Sequence, residues 1–445
     1  MKNSFIIFLI LFAFILTISY KAIAISSNCK LPEVFDENLS FAIKPYSDEA
    51  ENNFKNMPVD SLVMEATFVK SLLHVKAIYY YIHKNKPIDS LYFVLNPNFK
   101  IESIQTTGLV EYNFVPKNNR PFPFLLLKLN HELITNSITK ISFDYQIDLE
   151  KTTYLGSNWI ELMVDQFWFP NAQDADNKFS SRLIVKNLYP DYTLFSYHSF
   201  KKLAEQTYEI TPKEPSPEIS FLAGKNMKIV NKKEGKMSLE YFVRDDIEDS
   251  LLDNIHKKFY QTTDFYNQSF GKVKPVFEAS VALRRISRKV NNSQTSRQYM
   301  IITGEDFNDY GNFAHELGHF WWTGANFINE PWLNESFANL SALYVMKKYD
   351  FQRYERNFAL YKKKAEKKGA VATAGVFEND TYDLYYNKGT YLLTLLEQKI
   401  GEKKMMELLE KRIEANINDT NNFLNLIEIT AGKENRLYFE KLISE

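Results

Sequence analysis

The 445-residue sequence predicts a multidomain α+β chain: an antiparallel β saddle or sandwich over 30–225, then an α+β domain over 226–445. Three observations predict it. The first half consists of short runs of aromatic and branched residues broken by Asn, Pro and Lys turns, the pattern of successive antiparallel strands. Near residue 225 the apolar period lengthens from that of a strand to that of a helix, and strands give way to helices along the rest of the chain. Glycine and proline are scarce, at 14 and 15 residues, so long flexible linkers are not expected.

In chain order, the runs 78–82, 91–95, 124–129 and 138–149 read as strands, and 141–147 alternates apolar with polar as a half-buried antiparallel strand should. The five tryptophans are Trp159, Trp168, Trp321, Trp322 and Trp332. A shared aromatic seam would set the β-domain edge against the later pair; ordinary core packing is the alternative. Glu161 and Gln166 are candidates to reach a cleft there. Residues 227–244 read as a hairpin turning at Lys233-Glu234-Gly235. Asp246 is expected to cap a helix with apolar positions Leu251, Leu252, Ile255, Phe259, Tyr266 and Phe270, stopping at Gly271. Strands over 276–283 and 297–303 follow, and helices after them. The basic run Lys362-Lys363-Lys364 and Lys367-Lys368 reads as the solvated face of a helix.

Net charge is −1, which gives no electrostatic case for nucleic acid as a partner. Lys2 precedes an uncharged apolar run over 5–18, and Ala22-Ile23-Ala24 offers an A-x-A cleavage site, so 1–24 reads as a secretory signal peptide. An uncleaved anchor is the rival, because 4–20 carries no charge. Either reading puts the folded part outside the cytoplasm, secreted or membrane-anchored, with membrane association through this segment in the second case. Cys29 is the single cysteine, so an internal disulfide is excluded and stability must come from the core and a bound metal.

The chemistry centres on His315-Glu316-Leu317-Gly318-His319, the pattern H-E-x-x-H. On a helix, residues four apart share a face. Two imidazoles so placed can bind one metal ion, and Glu316 can reach a water on it as general base. An amphipathic helix with two surface histidines would show the same letters, so a third ligand decides. The first helix is expected from about Asn308 or Asp309 to Gly324, with Phe313, Leu317, Phe320 and Trp321 on its apolar side. A second helix is expected from about Asn334 through Leu340, Leu343 and Met346, with Glu335 in its first turn, sixteen positions after His319. Packed antiparallel to the first, it would turn Glu335 toward the histidines. His, His and Glu form a standard three-ligand set for catalytic zinc that leaves one position for water. Read alone, Glu335 is an acid favoured by the helix dipole.

Taken together, H-E-x-x-H, the step Trp322-Thr323-Gly324, the stretch Trp332-Leu333-Asn334-Glu335-Ser336-Phe337-Ala338 and Tyr386-Asn387-Lys388-Gly389 resemble, in that order, the aminopeptidase N family of gluzincin zinc metallopeptidases. In the β-rich half the likeness is one of layout only. The resemblance implies a β saddle followed by a thermolysin-like zinc peptidase domain. It implies one Zn²⁺ on His315, His319 and Glu335, with Glu316 as general base. It also implies that Tyr386, rather than its neighbour Tyr385, donates to the oxyanion, and that the substrate is a peptide or protein. Asn339, one turn after Glu335, is a candidate to orient a ligand.

Four departures qualify the likeness. The gap from His319 to Glu335 is shorter than the family's. Ser336 stands where Gly is usual. The G-x-M-E-N element that grips a substrate amine is not found. The expected form is a short one, without the large helical C-terminal domain of many members. Near the place of the missing acid stands Arg297, in Gln294-Thr295-Ser296-Arg297-Gln298. A cation there would repel an N-terminal ammonium and attract a carboxylate; a solvated strand-end arginine is the alternative. Two further readings stay open: a catalytically silent, metal-containing cell-surface binding module, and a peptidase that does not require a free substrate N-terminus.

Overall fold

Strand 138–149 alternates because one of its faces is buried. In the computed structural model its counterpart, Ile138–Asp148, shows that alternation along its length and pairs antiparallel with Leu72–Ile82, Tyr79 opposite Ile141. The structure describes residues 59–445 apart from 83–88, 116–123, 131–137, 150–154, 157, 164–165, 172–177, 217, 271–273, 285–293, 297–299, 306–308, 326–329 and 375–380. The expected leader over 1–24, Cys29, Gly271 and Arg297 lie outside the described residues.

The two long strands sit inside a seven-stranded sheet. Its order is Ser199–Ala204, Thr207–Thr211, Ser180–Lys186, Val59–Val69, Leu72–Ile82, Ile138–Asp148 and Lys100–Gln105. Val59–Val69 runs parallel to Ser180–Lys186, the one exception to the expected antiparallel pairing among the described strands of this part. A three-stranded sheet (Ser90–Val94, Phe124–Leu129, Leu109–Val115) and a four-stranded one (Tyr192–Phe195, Phe221–Lys225, Trp159–Leu162, Leu155–Gly156) complete this β-rich part. Its core joins Leu62, Tyr79, Phe93, Tyr145 and Trp168. Two buried phenols are satisfied by the Trp-Phe-Pro turn: Tyr79 donates to the Pro170 carbonyl, and Tyr145 to that of Trp168 at 3.1 Å.

The second part opens with a five-stranded mixed sheet in the order Met227–Glu234, Met237–Arg244, Glu278–Arg284, Met300–Gly304, Gln294–Ser296. The first two form the expected hairpin. Its turn uses Gly235 at φ +59°, a conformation only glycine adopts freely. Eight helices are described: α1 (Asp249–Phe270), α2 (Tyr310–Gly318), α3 (Pro331–Tyr349), α4 (Phe351–Lys364), α5 (Gly389–Ile400), α6 (Glu402–Glu414), α7 (Thr420–Ala431) and α8 (Lys433–Ser444). A π-helical segment, Asp383–Lys388, leads into α5. Helix α1 starts later than Asp246, because the Glu248 carbonyl takes the first turn's N–H groups of Leu251 and Leu252. It buries Leu252, Ile255, Phe259, Tyr266 and Phe270 of the stripe its periodicity predicts, and leaves Leu251 half-buried.

The two parts meet along an apolar seam. Met163, Phe195 and Leu222 pack on Phe242, Ala282, Met300 and Ile302, and the Phe195 and Phe242 rings stack with centroids 5.0 Å apart. The expected tryptophan seam is not formed. Trp159 lies on Phe242, Trp168 is in the β core, and Trp321, Trp322 and Trp332 belong to the helical core. At this boundary Phe195, Phe242 and Trp159 supply the aromatic contact, and the three later tryptophans take no part. Glu161 and Gln166 are likewise engaged. Gln166 accepts from the Met163 N–H at 2.8 Å, capping its own turn. Glu161 is fully buried and takes Arg284 through two nitrogens at 2.8 and 2.9 Å, while Trp159 Nε1 donates to it at 2.9 Å.

Removing one partner of such a pair leaves a buried charge without its counterion, whereas removing both does not. Glu161→Leu should therefore destabilise the chain by about 3–5 kcal/mol, read by urea unfolding, and the double variant Glu161→Leu, Arg284→Met should recover most of that loss.

Candidate metal centre

Helix α2 starts where a cap exists. Asp309 accepts from the Asn312 N–H at 2.9 Å, and Arg353 on α4 holds the same carboxylate at 3.0 Å. It ends at Gly318, short of the expected Gly324, because the N–H groups of Trp321 and Trp322 both turn back to the Gly318 carbonyl at 3.0 Å. His319 is the C-cap with helical φ −62° and ψ −17°, so it keeps the i+4 relation to His315.

Helix α3 starts earlier than expected, with Pro331 in the first position, so Glu335 lies in its second turn rather than its first. The helix is buried on every side from Pro331 to Leu343, which is why it shows little amphipathic pattern. Helix α2 can approach it closely because Gly318 has no side chain; a Cβ there would lie 3.1 Å from Ala338 Cα. This crossing turns Glu335 toward the histidines. The motif around it is also explained residue by residue. Trp332 Nε1 donates to Thr420 at 3.0 Å. Asn334 makes paired 3.1 Å bonds with the backbone of Ala325, closing the link between the two helices. Ser336 donates to the Tyr385 carbonyl at 2.6 Å.

His315 Nε2, His319 Nε2 and Glu335 Oε2 converge. The two nitrogens are 3.2 Å apart, and each is 3.4 Å from the carboxylate oxygen. The outer nitrogens settle the protonation. Asn339 Nδ2 donates to the Tyr386 carbonyl at 3.0 Å, so its Oδ1, 2.9 Å from His315 Nδ1, must accept. His319 Nδ1 faces the Trp322 carbonyl at 3.3 Å, which can only accept. Both Nδ1 atoms therefore carry hydrogens, so each ring, when neutral, presents its Nε2 lone pair inward. Glu335 is 2 % exposed and its Oε2 has no hydrogen-bond partner. Three acceptors facing one another in a buried site need a cation. Ligands about 2.0–2.1 Å from a tetrahedral zinc stand about 3.3–3.4 Å apart, which these three atoms match. The field favours a positive charge here, and where no metal competes that charge is a proton on His319. Burial would lower the His319 pKa, but the Glu335 carboxylate outweighs it and pushes it up to about 9. Burial would raise Glu335, yet the two imidazoles hold it well below the usual carboxylate range.

Around this triad stand Glu316, Tyr386 and an unexpected residue. Glu316 is buried, and its charge reaches His319 and Tyr382. The π-helical segment, a device frequent at functional sites, presents Tyr386 with its ring 5.8 Å from that of His315. Burial first, then the Glu335 carboxylate, raise the Tyr386 pKa well above its ordinary value. Tyr385 is buried beside it and lends its carbonyl to Ser336. The sequence reading passed over Tyr382. The residue is 57 % exposed, its ring stacks on Tyr386 with centroids 4.2 Å apart, and the Glu335 charge reaches it. Its signal was the i, i+4 spacing to Tyr386.

No protein-family model matches the chain, and no curated protein matches it in sequence. Solved structures do match in fold. The M1 zinc metallopeptidase from Deinococcus radiodurans superposes with a TM-score of 0.61 at 13% identity, covering 88% of this chain and 94% of that one. A mutant M1 zinc metallopeptidase from Deinococcus radiodurans bound to a Tyr-Ser-Ala substrate gives 0.60 at 12% identity, with 88% and 94% covered. A two-domain M1 zinc metallopeptidase mutant bound to L-arginine gives 0.63 at 13%, with 88% and 95% covered. The chain thus has the α+β fold of M1 zinc metallopeptidases, with the β-rich part first and the helical part after it.

Ser336 and Gly389 are matched in size, since a Cβ on Gly389 would run into the Ser336 hydroxyl. Gly389→Ala should lower stability by about 1–3 kcal/mol through overpacking. Adding Ser336→Gly should relieve most of that loss, and thermal unfolding of the two single variants and the double gives the coupling.

Proposed function

We propose that this protein is a zinc-dependent peptidase of the aminopeptidase N type that acts outside the cytoplasm. One observation carries the reading: two imidazole lone pairs and an orphan carboxylate oxygen meet at 3.2–3.4 Å in a buried site. His315, His319 and Glu335 would hold the ion. When bound, zinc supplies a Lewis acid that polarises a peptide carbonyl and acidifies water. Glu316 takes the proton from the attacking water onto its carboxylate and passes it to the leaving amine nitrogen. Tyr386, kept protonated by burial, donates a hydrogen bond to the carbonyl oxygen as negative charge develops there. Asn339, held by the Tyr386 carbonyl, fixes the His315 ring and so links the ligand to the donor.

The substrates follow from the same reading. Solved structures of similar fold hold a Tyr-Ser-Ala substrate or L-arginine, which supports a peptide substrate here. The apolar run over 5–18 and its A-x-A site support export or anchoring. Among the described residues no helix is long and apolar enough to cross a membrane.

Hydrolysis of aminoacyl-amide and N-blocked peptide panels tests the proposal, and the ratio of the two shows whether a free N-terminus is required. Glu316→Gln should lower kcat by about 10²–10⁴-fold with zinc content unchanged. Tyr386→Phe should lower it by about 10²–10³-fold. Chelation should abolish turnover and zinc should restore it. Full activity in Glu316→Gln would sink the mechanism, and bound zinc with no turnover on any peptide would favour a silent binding module.

A further inference from the structure

The link between α2 and α3 must return the chain so that Glu335 meets both histidines. One buried side chain from elsewhere touches both of its ends. Arg412, on α6, is 2 % exposed. Its guanidinium carbon lies 3.9 Å from the Phe337 ring centroid and 5.1 Å from that of Trp322. Nη2 donates to the Leu333 carbonyl at 3.1 Å, and Nε donates to the Ile417 carbonyl at 3.1 Å. Nη1 is buried with no hydrogen-bond partner. Trp322 is the residue whose carbonyl faces His319 Nδ1, and Leu333 and Phe337 flank Glu335 at two positions on either side.

Core filling does not account for an arginine here. A buried guanidinium with an unmatched N–H carries a desolvation penalty that an apolar side chain of similar length would avoid. Glu330 lowers that penalty through its charge, but its own Oε1 already accepts from the Thr420 N–H at 2.9 Å. What the guanidinium adds is a planar fork. It stacks on aromatic rings while donating to carbonyls in its plane, which neither methionine nor lysine can do.

We infer that Arg412 is a positioning residue for the metal ligands: by bridging Trp322, Leu333 and Phe337 it holds His319 and Glu335 at the separation that accepts an ion. The inference rests on the zinc reading above. It makes Arg412 a determinant of metal affinity with no contact to substrate or reacting atoms.

The test compares the full chain with Arg412→Met and Arg412→Lys, using zinc titrations against a fluorescent chelator and thermal unfolding without zinc. Arg412→Met should keep a cooperative unfolding transition, yet bind zinc about 10–100-fold more weakly. Arg412→Lys should fall between the two. Unchanged zinc affinity in both variants would overturn the inference, whatever happens to the melting temperature. If Arg412→Met does not fold, the lysine variant decides by the same criterion. If the parent itself binds no zinc, the metal reading fails, a result distinct from a zinc-binding parent with zinc-binding variants.

Discussion

Three electron-pair donors held 3.2–3.4 Å apart in a buried site repel one another unless a positive charge lies among them. Much of the helical part can be read as the means of imposing that arrangement. Helices α2 and α3 approach closely at Gly318 and Ala338. Asn334 closes the link between them, and Asn339 and the Trp322 carbonyl fix the two rings so that their lone pairs face inward. Crowding these acceptors costs stability that a cation bound among them would return.

Helix α3 accepts an unusual polar load for a core helix. Asn334, Ser336, Asn339 and Ser341 are all buried, and each has a named partner: Ala325, Tyr385, His315 with Tyr386, and Trp322. Satisfied networks of this kind tolerate a low dielectric and specify one packing. They also wire the π-helical segment to His315 and Glu335, since Ser336, Asn339 and Thr390 hold the carbonyls of Tyr385 and Tyr386. The tyrosine pair is thereby placed by the same helix that carries Glu335.

The β-rich part contributes a scaffold rather than a loose appendage. Its four-stranded sheet meets the mixed sheet through the Phe195–Phe242 stack, and the Glu161–Arg284 pair is sealed inside that contact. A bidentate buried pair gives orientation as well as energy, because the fork geometry allows one relative placement of the groups that bear it.

The sequence by itself determined whatever is written within a few residues. The i+4 histidines, the Gly235 hairpin, the buried stripe of α1 and the alternation of Ile138–Asp148 were all legible from local periodicity. It also singled out Glu335, Tyr386 and Asn339, all of which lie around the two histidines. Only the tertiary structure decided where α2 stops, since the N–H groups of Trp321 and Trp322 had to choose the Gly318 carbonyl. Only it showed that Glu161 is claimed by Arg284, 123 positions away, and that Phe195, Phe242 and Trp159, without the later tryptophans, line the boundary. Local patterns name the residues suited to a task, whereas pairings across long stretches of chain are set by which surfaces pack together, and a single sequence does not display that choice.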